Sequence, residues 1–147
     1  MGGVIYDLLE IVFKCLLCKQ EVETMSSKNT DLDKITQTVQ YYFDGMYHSD
    51  TENLKKAFDP DAFLHGYFEG RLVHLPFNVW LKQIEGRPAP SKNGEAYDMK
   101  IVSVDITDNI AQVKVFDLYL GKYFTDYLSL IKVNDNWIIM NKMFHHQ

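Results

Sequence analysis

Two aspartates and a histidine stand where strand alternation would set a polar group among apolar ones. Asp126 lies two residues from Phe124 and two from Leu128, and Asp117 follows Ala111, Val113 and Val115 at the same spacing. A carboxyl on such a face loses water, which raises its pKa and poises it as a general acid or base near neutrality. His65 shares one strand face with Phe63 and Tyr67, and histidine is a common acid–base group near neutral pH, so it could complete an acid–base set with a tyrosine hydroxyl. Each residue also has a plainer reading. Asp126 could pair with Lys142 across a hairpin, Asp117 could be a solvated strand end, and His65 could be a core or rim residue.

Other chemistries find less support. Cys15 and Cys18 form a lone C-x-x-C inside an apolar helical run. Zinc needs four ligands and a redox pair usually opens a helix, so buried or membrane-facing free thiols are expected here. His145 and His146 are adjacent and would project to opposite sides of a strand, so they are expected as frayed polar ends and not as a metal clasp. No H-x-x-x-H, G-x-S-x-G, P-loop or glycine-rich dinucleotide turn occurs, and neither a metal nor a cofactor is expected. The formal charge is −5 and the densest basic pair is Lys55–Lys56. A phosphate-binding face needs more than that, so no nucleic-acid partner is expected.

The elements that must position these groups follow from periodicity. At 147 residues, with 46% hydrophobic and 24% charged side chains, one folded core is the default. Thr30 is a plausible N-cap, and Leu32, Ile35, Val39, Tyr42, Phe43 and Met46 recur at helical spacing to about Tyr47. Ser49 to Glu52 has the S-x-x-E pattern of a capping box, opening a short helix that Asp59-Pro60 ends. Two short strands, Ala62 to Phe68 and Arg71 to Leu75, flank Glu69-Gly70. Pro76 then suits the first turn of a third helix, with Phe77, Trp80, Leu81 and Ile84 on its apolar stripe. Gly86 through Gly94 is a loop. Strands follow over Tyr97–Thr107, Ile110–Leu120, Tyr123–Val133 and Trp137–Phe144, with Val102, Val104 and Ile106 expected on one face of the first. Helices first and an antiparallel meander later make an α+β arrangement.

Residues 1–24 stand apart from a domain spanning 25–147. Val4 to Cys18 is apolar but interrupted by Asp7, Glu10 and Lys14, too short and too charged to span a membrane. It lacks the flanks of a secretory signal. An amphipathic docking helix or a non-native upstream segment ahead of Met25 are the two readings, and the second is preferred.

The resemblance that emerges is carried by Val39-Gln40-Tyr41-Tyr42-Phe43-Asp44-Gly45, Phe58-Asp59-Pro60-Asp61-Ala62, Phe124-Thr125-Asp126-Tyr127-Leu128-Ser129-Leu130 and the run Trp137 to His145. From about Asp31 onward the chain resembles the nuclear transport factor 2-like (SnoaL-like) superfamily and, within it, the putative lumazine-binding family. That resemblance implies a cone-shaped cystatin-like fold, shared with ketosteroid isomerases, scytalone dehydratase and polyketide cyclases. It also implies a pocket between the first and third helices and the concave sheet face, lined by Tyr42, Met46, His65, Tyr67, Trp80, Tyr119 and Asp126.

Such a pocket suits a flat, ring-containing small molecule. The leading expectation is a cytoplasmic, homodimeric small-molecule-binding domain. The dimer would form through the sheet, because Leu128 to Val133 and Trp137 to Met140 are apolar on both faces. The alternatives are a cofactor-independent acid–base enzyme using Asp126 or Asp117 with His65, and an association module with a filled core.

Overall fold

A computed structural model describes residues 3–147, without the side chains of 3–9 and 26–29. The chain runs α1 (Gly3–His48), α2 (Thr51–Ala57), β1 (Phe58–Phe68), β2 (Arg71–Pro76), α3 (Phe77–Glu85), a 3-10 turn (Pro90–Asn93), β3 (Met99–Thr107), β4 (Ile110–Tyr119), β5 (Lys122–Val133) and β6 (Asn136–His146). Two compact units result, Met1–Asp33 and Lys34–Gln147.

In the first unit the helix bears a Glu10–Lys14 ion pair at 3.8 Å and a Thr24 Oγ1 bond to the Gln20 carbonyl at 2.7 Å. Cys15 and Cys18 are free, as expected, and exposed, which overturns the buried alternative of that expectation: Leu16 and Leu17 beside them are exposed too. Among the described residues no helix is long and apolar enough to cross a membrane. Helix α1 passes through Thr30 without a break. No glycine or proline occurs between Gly3 and Gly45, so nothing stops the helix before the expected cap.

The second unit is α+β. Its six strands form one sheet in the order β2-β1-β6-β5-β4-β3. The expected antiparallel meander covers β3 to β6, but β1 pairs with β6 in parallel. The sheet is therefore mixed. The concave face and the helices share one core: Ile35, Val39, Tyr42, Phe43 and Met46 of α1 pack with Val113, Val115, Leu128, Leu130, Trp137 and Ile139. Leu32 is 41% exposed and falls outside that stripe.

Several local expectations shift by a residue or two. Asp50, not Ser49, caps α2, its carboxylate accepting from the N–H groups of Glu52 and Asn53 at 2.9 and 3.2 Å. Ser49 instead takes a left-handed φ of 51° in the turn. Strand β1 begins at Phe58, with the register interrupted before Phe63 where Pro60 withholds a donor. A bulge between Ile101 and Ser103 turns Val102 outward, leaving Ile101, Val104 and Ile106 against the core. His145 and His146 belong to β6 and are not frayed. His146 Nε2 accepts the Glu69 N–H at 3.0 Å, and its ring lies 4.9 Å from Phe68.

Gly66 lets β1 and β6 lie close. A Cβ there would sit 2.3 Å from the Phe144 carbonyl oxygen and 2.7 Å from its ring. Because the first obstacle is backbone in a central strand, Gly66→Ala should destabilise the fold by about 1–3 kcal/mol, the range of overpacked cores. Urea unfolding measures this, and a change within error would show that the strands can part.

Candidate functional site

Alternation brings the inward residues of β1, β4, β5 and β6 onto the concave face. On β4 these are Ala111, Val113, Val115, Asp117 and Tyr119, all buried. On β5 they are Phe124, Asp126, Leu128 and Leu130. Asp117 is opposite Phe124 and Val115 opposite Asp126, so the two carboxyls are diagonal neighbours on one face. In β6 a register shift lies opposite Ser129 and Leu130, so that Ile139 pairs with Leu130 and Lys142 with Leu128. Trp137 and Ile139 point inward, and after the extra residue so do Lys142 and Phe144.

These positions assemble a buried polar cluster. Lys142 Nζ lies 2.7 Å from Asp126 Oδ2 and donates to the Tyr42 hydroxyl at 2.6 Å. Tyr42 donates to the same Asp126 oxygen at 2.5 Å. Asp126 is 0% and Lys142 5% exposed, and the ammonium sits 4.8 Å from the Tyr42 ring centre and 5.4 Å from that of Trp80. The cross-strand pair expected of Asp126 and Lys142 is therefore present, inside the core and not on a solvent face. Asp117, at 1% exposure, corrects the reading of a solvated strand end. Its carboxyl is held well above the usual carboxylate range, first by burial and then by the neighbouring Asp126, with Lys142 opposing. The Tyr42 hydroxyl is raised well above its ordinary value by burial and by the two carboxyls. Buried Asp117 Oδ1, Asp126 Oδ1 and Tyr119 Oη have no hydrogen-bond partner among the described residues.

Above this floor lies a cavity of about 650 Å³. Met46, Trp80, Asp117, Tyr119, Lys142 and Phe144 line its interior, with Leu64, Phe68 and Phe124; Leu72 to Leu75 of β2 and Gln83, Arg87, Leu120 and Lys122 complete the wall. Burial raises the Tyr119 hydroxyl pKa, and Arg87 opposes that shift. The loop beyond α3 is pinned: Glu95 accepts the N–H groups of Leu120 and Gly121 at 3.0 and 2.6 Å, and its carbonyl accepts from Tyr47 at 2.8 Å. Leu120 and Gly121 both have positive φ, 48° and 76°, a turn that glycine eases.

Of the expected pocket residues, Met46, Trp80 and Tyr119 line the cavity, whereas Tyr42 and Asp126 lie behind Lys142. His65 and Tyr67 do not reach it. They alternate with inward Leu64 and Gly66, so they face the other side of the sheet, where Tyr67 is 57% exposed. There His65 meets His74 directly across the hairpin, Nδ1 to Nδ1 at 2.8 Å. His65 is thus separated from both aspartates. Arg87, carried by a loop, is a cavity residue that periodicity missed, and Lys142, expected only as the partner of Asp126, lines the wall as well.

Three comparisons bear on this arrangement. The sequence profile of the family described as putative lumazine-binding matches residues 30–145. Aldolase FrzH of Cladobotryum sp is 22% identical over 117 residues, covering 80% of this chain and 92% of that protein. An NTF-2 like protein of unknown function from Silicibacter pomeroyi DSS-3 superposes with a TM-score of 0.75 at 22% identity, over 82% of this chain and 98% of that one. Another, from Methylobacillus flagellatus KT, gives 0.71 at 26% identity, over 80% and 92%. The fold is that of the NTF2-like, SnoaL-like superfamily.

The carboxyl pair generates a pH prediction. Above its ordinary 3.8, Asp117 gives up its proton in the unfolded chain but keeps it in the folded one, so its contribution to stability falls as pH rises toward the folded pKa. Asp117→Asn removes that titration. Chemical denaturation from about pH 4 to about pH 8 should show the variant gaining on the parent as pH increases; parallel curves would mean that Asp117 is ionised in the fold.

Proposed function

The chain belongs to the putative lumazine-binding family, and from that premise we propose that it is a small-molecule-binding domain holding a flat, ring-containing metabolite in the cavity. The observation that carries this is the cavity itself, with Trp80, Phe68, Phe124 and Phe144 on its wall and two buried polar atoms, Asp117 Oδ1 and Tyr119 Oη, without partners. A mostly apolar recess with a few convergent polar groups is the usual form of a ligand site. An unmet buried donor or acceptor costs about 1–3 kcal/mol, which a suitable occupant would recover.

Trp80 lines the cavity, while Trp137 is buried in the core elsewhere on β6. Neutral bicyclic heteroaromatics such as lumazine should quench the intrinsic fluorescence on binding. Trp80→Phe should abolish that quench while native mass spectrometry still records a one-to-one complex, and Trp137→Phe should leave it. Absence of any complex with such rings would refute the reading.

A second reading is favoured by the carboxyl pair. Asp117, neutral by burial, can donate a hydrogen bond or proton to an oxygen in the cavity, and the negative charge then left on Asp117 is opposed by Asp126 but met by the Lys142 ammonium. Proton transfer at a carbonyl compound, without cofactor, is the chemistry this supports. The aldolase name of the relative at 22% identity agrees with such chemistry. His65 has no part in it, because it faces the other side of the sheet.

The same proposal includes a homodimer through the convex sheet face. Tyr127 and Met143 stand directly opposite each other there, 44% and 56% exposed, with Tyr67 and Ile131 also uncovered. Light scattering should give twice the chain mass at micromolar concentration, and Tyr127→Glu with Met143→Asp should halve it. A monomeric parent would remove this part.

A further inference from the structure

We propose that the cavity accepts a small ring-bearing acid, its carboxylate paired with Arg87 while a polar substituent on the ring reaches Asp117 and Tyr119. The proposal rests on the reading of the cavity as a ligand site and adds the charge and polarity of the occupant.

Charge distribution is the first argument. The chain has 20 acidic residues against 15 basic ones, yet the cavity wall carries Arg87, Lys122 and Lys142 against Asp117 alone. A wall opposite in sign to the molecule as a whole concentrates anions. The three cations are not equivalent. Lys142 is neutralised by Asp126 at 2.7 Å, and Lys122 lies 3.6 Å from Glu69. Among the described residues Arg87 meets only neutral groups, Gln83 Oε1 at 3.1 Å and the Tyr119 hydroxyl that it approaches. Glu95, which acts on Tyr119 together with Arg87, has both oxygens committed to backbone N–H groups. Arg87 is therefore the wall cation left to pair with something that is not protein, and its planar fork matches a carboxylate.

Geometry is the second argument. Asp117 and Tyr119 are alternate residues of β4, both buried and both lining the cavity, so their side chains leave the strand about 6–7 Å apart. Each ends in a polar atom without a partner. Arg87 acts on the Tyr119 hydroxyl, which places guanidinium, phenol and carboxyl in sequence along one wall. Apolar and aromatic groups make up most of the remainder. A ligand with an anion at one end, a ring in the middle and a hydroxyl or carbonyl at the other would answer all three.

The test uses two probes of one shape, 6-hydroxy-2-naphthoate and 6-hydroxy-2-naphthamide, titrated calorimetrically into the full chain at neutral pH. The acid should bind at least about tenfold tighter than the amide, as a charge-assisted pair at a partly exposed rim implies. Arg87→Gln should erase that preference without weakening the amide, Arg87→Lys should keep part of it, and Lys92→Gln, a charge-matched change away from the wall, should leave it intact. Tyr119→Phe should weaken both probes. Equal binding of acid and amide, or a preference surviving in Arg87→Gln, overturns the anionic inference and leaves the ligand site standing. Tighter binding of 2-naphthyl phosphate than of the naphthoate overturns the carboxylate assignment in favour of a phosphate. Failure of every probe, neutral lumazine included, overturns the site and this inference together.

Discussion

A lysine ammonium enclosed away from water is the constraint around which the domain is arranged. Lys142 can be charged inside the core only because Asp126 and the Tyr42 hydroxyl meet it within 2.7 Å. The three residues come from β6, β5 and α1, so satisfying one cation locks a helix and two strands into a single relative position. Such buried pairs seldom add net stability over apolar residues of the same volume. What the triangle contributes here is a polar floor, and with it the environment in which Asp117 keeps its proton and can act as a donor in an otherwise aromatic recess.

Most of the fold could be read from residue patterns because it follows from simple periods. The stripe from Ile35 to Met46, the helix carrying Phe77, Trp80 and Ile84, and the meander with Ala111, Val113 and Val115 inward are all consequences of spacing. The departures occur where a period is interrupted. Two bulges, one at Ile101/Ser103 and one opposite Ser129/Leu130, each reverse which side chains face the core. The first sends Val102 to solvent, and the second turns Lys142 inward. The parallel pairing of β1 with β6 joins segments far apart in the chain, and no local pattern encodes it.

The site was legible in part for the same reasons. Asp117, Asp126 and Tyr119 lie on uninterrupted strands, so alternation was enough to group them. His65 and Tyr67 lie one parity away from the cavity side: Gly66 has no side chain to mark which face it serves, although its missing Cβ is what admits Phe144. Arg87 lies in a loop with no period at all. Asp117 shows a different difficulty. Its position was clear, but whether an inward carboxyl at a strand end meets water depends on what covers it, and that cover comes from residues distant in sequence.

The place of β6 in the sheet has a consequence for how the chain acquires this structure. It is made after β1 to β5 yet lies third in the sheet, between β1 and β5. Until it docks, β1 has a neighbour on one side only, and Asp126 has no ammonium to balance it. A half-synthesised chain therefore cannot close its interior, and loop-closure entropy over some seventy intervening residues slows the final step, as high contact order does generally. During translation the open edges of β1 and β5 would be exposed together, which makes the interval before the sixth strand emerges the period of greatest vulnerability to aggregation.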